Sequence, residues 1–235
     1  MLHTETVEAG TLALIKRLSG DPVLKDFVLV GGTALSLQLG HRKSIDIDLF
    51  SSDAFDAKAL GNHIDTQYKG ERTQALTNGV FSLLDQIKVD MIAHQYPWID
   101  GIKEAEGIRM ASPKEIGAMK LHAIVHSGRR LKDYVDMHFL LERHSLDELT
   151  TAYSEKHPGY NAAMAKNALL YHEDIDFQTG VDLMRRNFNW SEIAERLRQA
   201  VVDPKKIFQG IEFGEVVGRK NEIDISKHRK RGRRI

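Results

Sequence analysis

Apolar and polar positions change period along the chain, and that change divides it. Residues 4–18 place Leu12, Leu14, Ile15 and Leu18 on one side of a helix, which Asp21-Pro22 interrupts. Phe27-Val28-Leu29-Val30 is a short apolar run ending at Gly31-Gly32, the pattern of a buried strand. Thr33 is placed to cap a short helix carrying Leu35, Leu37 and Leu39, which Gly40 stops. Residues 44–50, Ser-Ile-Asp-Ile-Asp-Leu-Phe, alternate strictly and predict a half-buried strand with Ile45, Ile47 and Leu49 toward the core. A helix over 54–66 and strands over 71–77, 79–84 and 87–93 follow.

Beyond Pro97 helical periods dominate. Pro113 suits the first position of a helix over 113–126. Further helices are expected over 131–142, 146–153, 162–171 and 190–201. The fold class is therefore α/β (α+β): an N-terminal mixed sheet with flanking helices over 1–105, then a helical half over 106–226. A basic tail without ordered structure is expected over 227–235. There is no internal repeat.

Composition narrows the chemistry. The 235 residues are 42% hydrophobic and 28% charged, enough for a sizeable core. With no cysteine, disulfides, thiolate zinc sites and cysteine nucleophiles are all excluded. The first residues lack a basic region followed by an apolar run, and no apolar stretch is long enough to span a bilayer, so a cytoplasmic protein without membrane contact is expected. The net charge is zero but uneven: residues 227–235 hold six of the 33 basic side chains, leaving 27 against 33 acidic ones elsewhere. Such a tail suits either a polyanion such as RNA or a solvated terminus.

The carboxylates carry the chemistry. On a strand, Asp46 and Asp48 point to one face, where they repel unless a cation lies between them. Hard oxygen ligands suit magnesium, and the alternative is an exposed edge with two solvated acids. Asp90 stands alone in the apolar run Val89-Asp90-Met91-Ile92 and needs a metal, partner or water. Gly31-Gly32-Thr33 follows a strand and opens a helix, where backbone amides can approach phosphate. Gly40-His41-Arg42-Lys43-Ser44 fails the Walker spacing, and no G-x-G-x-x-G is present.

Other residues have more than one reading. Lys120 either neutralises phosphate or packs its stem with a solvated head. Arg42 contacts phosphate, braces the two aspartates, or is an exposed loop arginine. Asp133 and Asp136 share a helix face beside Lys132, and Asp133 can also serve as a helix cap. His122 and His126 lie four apart, but His-Ala-Ile-Val-His lacks the glutamate of a metalloprotease helix, and a shared face without metal is expected. Tyr171, Phe177, Phe188 and Trp190 are read mainly as core, with base stacking as the alternative.

A Gly-Gly turn, a D-x-D strand and a third acid on a later strand together resemble the DNA-polymerase-β-like nucleotidyltransferase superfamily. The block V-G-G-T-A-L-S-L-Q-L-G-H-R-K-S-I-D-I-D-L-F, residues 30–50, more closely resembles the AbiEii-type nucleotidyltransferases, toxins of type IV toxin–antitoxin pairs. K-L-H-A-I followed by R-R-L-K-D-Y-V-D, within 120–136, is similar to the family's helical motif. A-L-L-Y-H-E-D-I-D, 168–176, is a weaker echo, and the basic tail matches no family motif.

The resemblance implies a magnesium-dependent transfer of a nucleotide from a nucleoside triphosphate to a hydroxyl. Two Mg2+ ions are expected on Asp46, Asp48 and Asp90, with Asp90 also orienting or deprotonating the attacking hydroxyl. Gly31, Gly32 and Thr33 are expected at the triphosphate, Lys120 at its β- and γ-phosphates, and Asp133 among the catalytic residues. Arg42, Arg130 and Lys132 are expected to bind nucleotide, and Arg129 with Arg130 to receive RNA or nucleotide phosphate. RNA, such as tRNA, is the implied acceptor, and a nearby-encoded antitoxin the implied partner. The alternatives are transfer to a small molecule of the antibiotic type, transfer to a protein side chain, and an inactive nucleotide- or partner-binding module.

Overall fold

The computed structural model describes residues 1–184 and 190–209. The expected basic tail and Phe188 lie outside the described residues. Two compact units emerge: Met1–Gly40 with Ser44–Ile116, and His41–Lys43 with the described residues from Gly117 onward.

In the first unit, helix α1 (Ala9–Gly20) buries Leu14, Ile15 and Leu18. It starts later than its periodicity suggests, because Thr4–Thr6 form a single 3-10 turn and Val7 is extended. Asp21 ends it and accepts from the Val23 amide at 2.8 Å. Strand β1 (Val28–Val30) runs directly into α2 (Gly31–Leu39). Thr33 therefore lies inside the helix and does not cap it. Gly40 closes α2 at φ 65°, where a side chain would meet the His3 ring.

Strand β2 (Ile47–Ser51) alternates buried and half-buried positions. Ile47 and Leu49 are buried, but Ile45 is 59% exposed, so the strand begins later than its alternation implies and Ile45 does not face the core. Asp56 caps α3 (Ala57–Tyr68) by accepting from the Lys58 and Ala59 amides. Strands β3 (Glu71–Leu76), β4 (Gly79–Leu84) and β5 (Ile87–Ala93) form an antiparallel meander.

Two further strands extend the sheet, β6 (Ile102–Ala105) and β7 (Ile108–Ala111). Sequence reasoning missed them because each has four residues and Ile-Lys-Glu-Ala has little strand propensity. Their turn signal is Glu106-Gly107, both at positive φ. β7 pairs in parallel with β1, and the Arg109 guanidinium donates to the carbonyls of Ser19, Leu24 and Phe27. The α/β unit thus continues past residue 105, to Ile116.

The sheet has seven strands in the order β3-β4-β5-β2-β1-β7-β6. Among the described residues its β2–β5 and β1–β7 pairs are parallel and the others antiparallel. Its central strands are nearly all apolar on their buried face, with Val28, Leu29, Val30, Ile47, Leu49, Val89 and Met91 in the core.

Helix α4 (Pro113–His126) carries the division between the units. In the second unit, α5 (Leu131–Leu140) is buried at nine of its ten positions, Lys132 being the exception. Ser145 opens α6 (Leu146–Lys156) with a capping box closed by Glu148. Helices α7 (Ala162–Leu170) and α8 (Trp190–Val202) complete the unit. Trp190 is 2% exposed and packs near Tyr134, His172 and Phe177, whereas Tyr171 is exposed. Among the described residues, no helix is long and apolar enough to cross a membrane.

The placement of β2 has an energetic signature. Ile47→Ala should cost about 2–4 kcal/mol in urea denaturation. Ile45→Ala should stay within about 0.5 kcal/mol of the parent.

Candidate active site

The acid site of the first unit follows from sheet register. β2 and β5 run parallel with Asp48 opposite Asp90, Ile47 opposite Val89 and Leu49 opposite Met91. Side chains alternate, so the two aspartates share the face opposite the apolar set. Asp46 precedes β2 by one residue and is half-buried. Its charge acts on the Lys88 ammonium of β5.

Gly31 is required by this arrangement. β1 ends at Val30, opposite Asp48, and Gly31 takes φ +69° at the first position of α2. A Cβ there would collide with Oδ2 and Cγ of Asp48. Only glycine lets the backbone pass so close to the carboxylate in that conformation. Thr33 is 1% exposed. Its hydroxyl bonds the Asp46 carbonyl and lies 2.8 Å from Ser44 Oγ, so its side chain fixes the backbone that presents Asp46.

Lys88 was not expected here. It lies two residues before Asp90 on β5, and its Nζ is 2.5 Å from Asp90 Oδ2. That hydrogen bond is the main reason its pKa rises; Asp90, Asp48 and Asp46 also act on it through their charge. The signal was present in the alternation Lys88-Val89-Asp90, which puts both side chains on one face. The face continues past the acids into half-exposed aromatic groups: Phe50 lies 4.9 Å from His94, and His94 4.8 Å from Tyr96, between ring centroids.

The donor set fits a hard divalent cation. The oxygens are carboxylates, and Oδ1 of Asp90 is buried without a hydrogen-bond partner. Among the described residues, no three acidic or histidine side chains already converge on one point as a metal cage. Lys88 supplies positive charge at this face instead.

The second unit holds a separate polar centre. Asp136 is fully buried and accepts from four nitrogens: Arg42 Nε at 2.6 Å, Arg42 Nη2 at 3.0 Å, His41 Nε2 at 2.9 Å and Lys120 Nζ at 2.7 Å. Burial works against its charge, but Arg42 and Lys120 outweigh that and hold its pKa well below the usual carboxylate range. Burial pushes His41 down to about 4, against the pull of Asp136, so the ring is neutral near pH 7 and donates from Nε2. Lys120 also bonds Asp133 Oδ1 at 2.6 Å. Burial alone would lower its pKa, yet Asp133 and Asp136 raise it. Two carboxylates thus balance Arg42 and Lys120.

Arg42 is not an exposed loop arginine: it is 2% exposed. Its fork is buried on Asp136, and Nη1 donates to the Lys43 carbonyl. His41 and Asp136 were absent from the expected site. A buried helix can carry Asp133 and Asp136 only with such partners. Arg129 and Arg130 are exposed at the start of α5 and, with Lys132, Asp176 and Thr179, line a shallow cleft. Arg130 reaches Asp133 at 3.9 Å. His122 and His126 sit 4.2 Å apart between ring centroids, with His157 stacked on His122 at 3.8 Å.

The two groups of acids differ in energetic role. Asp136→Ala should destabilise the protein by about 3–5 kcal/mol, because it leaves buried cations unpaired. Half-buried Asp46, with like charges beside it, should give a change of about 0.5 kcal/mol or less on mutation to alanine. Urea denaturation of both variants at neutral pH measures the contrast.

The chain has relatives in sequence and among solved structures. The uncharacterized protein aq_aa25 of Aquifex aeolicus (strain VF5) is 30% identical over 185 residues, covering 76% of this chain and 88% of that protein. Among solved structures, JHP933 from Helicobacter pylori matches with a TM-score of 0.49 at 18% identity, covering 83% of this chain and 92% of the other. An antigenic nucleotidyltransferase-like protein from Paracoccidioides brasiliensis matches with a TM-score of 0.44 at 17% identity, covering 68% and 94%. The family model described as nucleotidyl transferase AbiEii toxin, type IV TA system, matches residues 13–168, more than half of the chain. The D-x-D strand, its glycine turn and the third acid all fall within that match, and the chain belongs to the AbiEii nucleotidyltransferase family of type IV toxin–antitoxin systems.

Proposed function

We propose that this nucleotidyltransferase moves a nucleotide from a nucleoside triphosphate to a hydroxyl of RNA, tRNA being the foremost candidate, with Asp46, Asp48 and Asp90 as its metal-binding acids. The observation that carries the reading is the register of β2 on β5, which sets Asp48 opposite Asp90; Asp46 lies one residue before β2 and acts through its charge on the same Lys88 ammonium. Carboxylates gathered at a central strand pair are a poor choice for stability and a good one for holding divalent cations. When bound, Mg2+ supplies charge neutralisation for the triphosphate and activation of the attacking hydroxyl.

The chain's own groups then divide the work. The first amides of α2, at Gly31, Gly32 and Thr33, lack partners within the helix and suit phosphate oxygens. Thr33 takes part through its backbone, since its hydroxyl is engaged by Asp46 and Ser44. Asp90, with one buried oxygen unbonded, is the acid best placed to orient the attacking hydroxyl or accept its proton.

In the second unit, Arg130 and Lys132 are the nucleotide-binding candidates, and Arg129 with Arg130 suits an RNA backbone. Lys120 is already compensated by two carboxylates. It can act on a phosphate only by exchanging Asp133 for a phosphate oxygen, which makes Asp133 its positioning partner. Arg42 enters as the buried brace of this set, with no guanidinium edge assigned to nucleotide. The cellular role proposed is growth inhibition restrained by an antitoxin, in keeping with the family. The charge of the basic tail, residues 227–235, agrees with an RNA acceptor.

The test is incubation with each α-labelled nucleoside triphosphate, Mg2+ and total cellular RNA, beside an Asp46→Ala/Asp48→Ala double variant. Label should enter RNA with the parent protein and fall at least about a hundredfold in the variant. Label in a small molecule or in protein instead would replace the acceptor. No label anywhere would overturn the catalytic reading.

A further inference from the structure

The acid face contains a cation of its own. Lys88 and Asp90 emerge from the same side of β5, with Nζ 2.5 Å from Asp90 Oδ2. The Lys88 ammonium lies within the field of Asp90, Asp48 and Asp46 together. The two partners differ sharply in burial: the Lys88 side chain is 57% exposed and that of Asp90 only 12%. Lys88 satisfies one oxygen of Asp90 and leaves the other buried and unbonded.

We propose that Lys88 is an internal counter-cation, whose ammonium holds the place of the divalent ion in the metal-free protein and turns out to solvent when the ion binds. The proposal rests on the reading of Asp46, Asp48 and Asp90 as metal-binding acids, and adds the group that competes for them. The physical case has three parts. Carboxylates brought onto one face by a fixed register repel, and a nearby positive charge relieves that repulsion before any metal arrives. A divalent ion carries twice the charge of an ammonium and can take several oxygens at once, including the one Lys88 leaves unbonded. An ion pair with so exposed a lysine is weak, and a four-carbon stem rooted on a rigid strand can rotate away without moving the acids. Lys88 therefore lowers the site's affinity for free metal while keeping the empty site folded.

The experiment is titration of the full-length protein with Mn2+ alone, without nucleotide, followed by calorimetry and by the loss of the free-ion paramagnetic resonance signal. The proteins compared are the parent, Lys88→Gln, Lys88→Arg and the Asp46→Asn/Asp48→Asn double variant. Lys88→Gln should bind Mn2+ about tenfold more tightly than the parent, because a like charge has left the site. Lys88→Arg should remain within about threefold of the parent. Without metal, Lys88→Gln should melt at a lower temperature, and saturating Mn2+ should close the gap. Equal or weaker Mn2+ binding by a folded Lys88→Gln protein overturns the counter-cation role while leaving the metal site standing. Binding by the parent that the double aspartate variant does not change, or no binding by any of them, overturns the metal reading itself, and the role of Lys88 with it.

Discussion

Bringing like charges together at the centre of a sheet is the constraint on which the first unit depends. The parallel pairing of β2 with β5 makes Asp48 and Asp90 neighbours, and neither can move away without breaking the ladder that seats Ile47, Leu49, Val89 and Met91 in the core. Packing on one face thus fixes electrostatic repulsion on the other. Everything close by answers to it. Gly31 gives the backbone room beside Asp48, Thr33 ties down the Asp46 carbonyl, and Lys88 lends positive charge. A protein selected for stability alone would place apolar or mixed-charge residues there, which is why a cation is proposed as the component that completes the site.

The second unit solves the opposite problem. Its acids lie on a helix that is buried almost all round, and they are neutralised completely by the chain itself. Asp136 draws His41 and Arg42, from the short segment after α2, together with Lys120 from α4. A family motif of charged residues can therefore contain members with different work: Asp136 and Arg42 hold the unit together, while Arg129, Arg130 and Lys132 offer charge at its surface. Spacing along the chain does not distinguish the two classes; burial does.

The central strands were legible because their periods are strong. Phe27-Val28-Leu29-Val30 and Lys88-Val89-Asp90-Met91-Ile92 each carry a dense apolar signal, and the acids stand out against it. The edge of the sheet was illegible because β6 and β7 are short and rich in residues that do not favour strands. Ile45 misled for a related reason. Alternation in sequence says which residues would share a face if the chain were extended, but β2 begins only at Ile47, and Ile45 ends in solvent. The fork of Arg42 on Asp136 spans 94 positions in sequence, beyond the reach of any local pattern. Lys88 was legible in principle, since it shares the face of Asp90, but an ordinary lysine on a strand draws no notice until the acids around it are placed.

Asp46, Asp48 and Asp90 are proposed to form one divalent-cation site. Anomalous diffraction at the manganese edge, from crystals grown with Mn2+ and a non-hydrolysable nucleoside triphosphate, tests it most directly. Anomalous density should touch carboxylate oxygens of these three residues, with the Lys88 ammonium no longer on Asp90. Density elsewhere, or none at this face while the triphosphate is plainly bound, would contradict it.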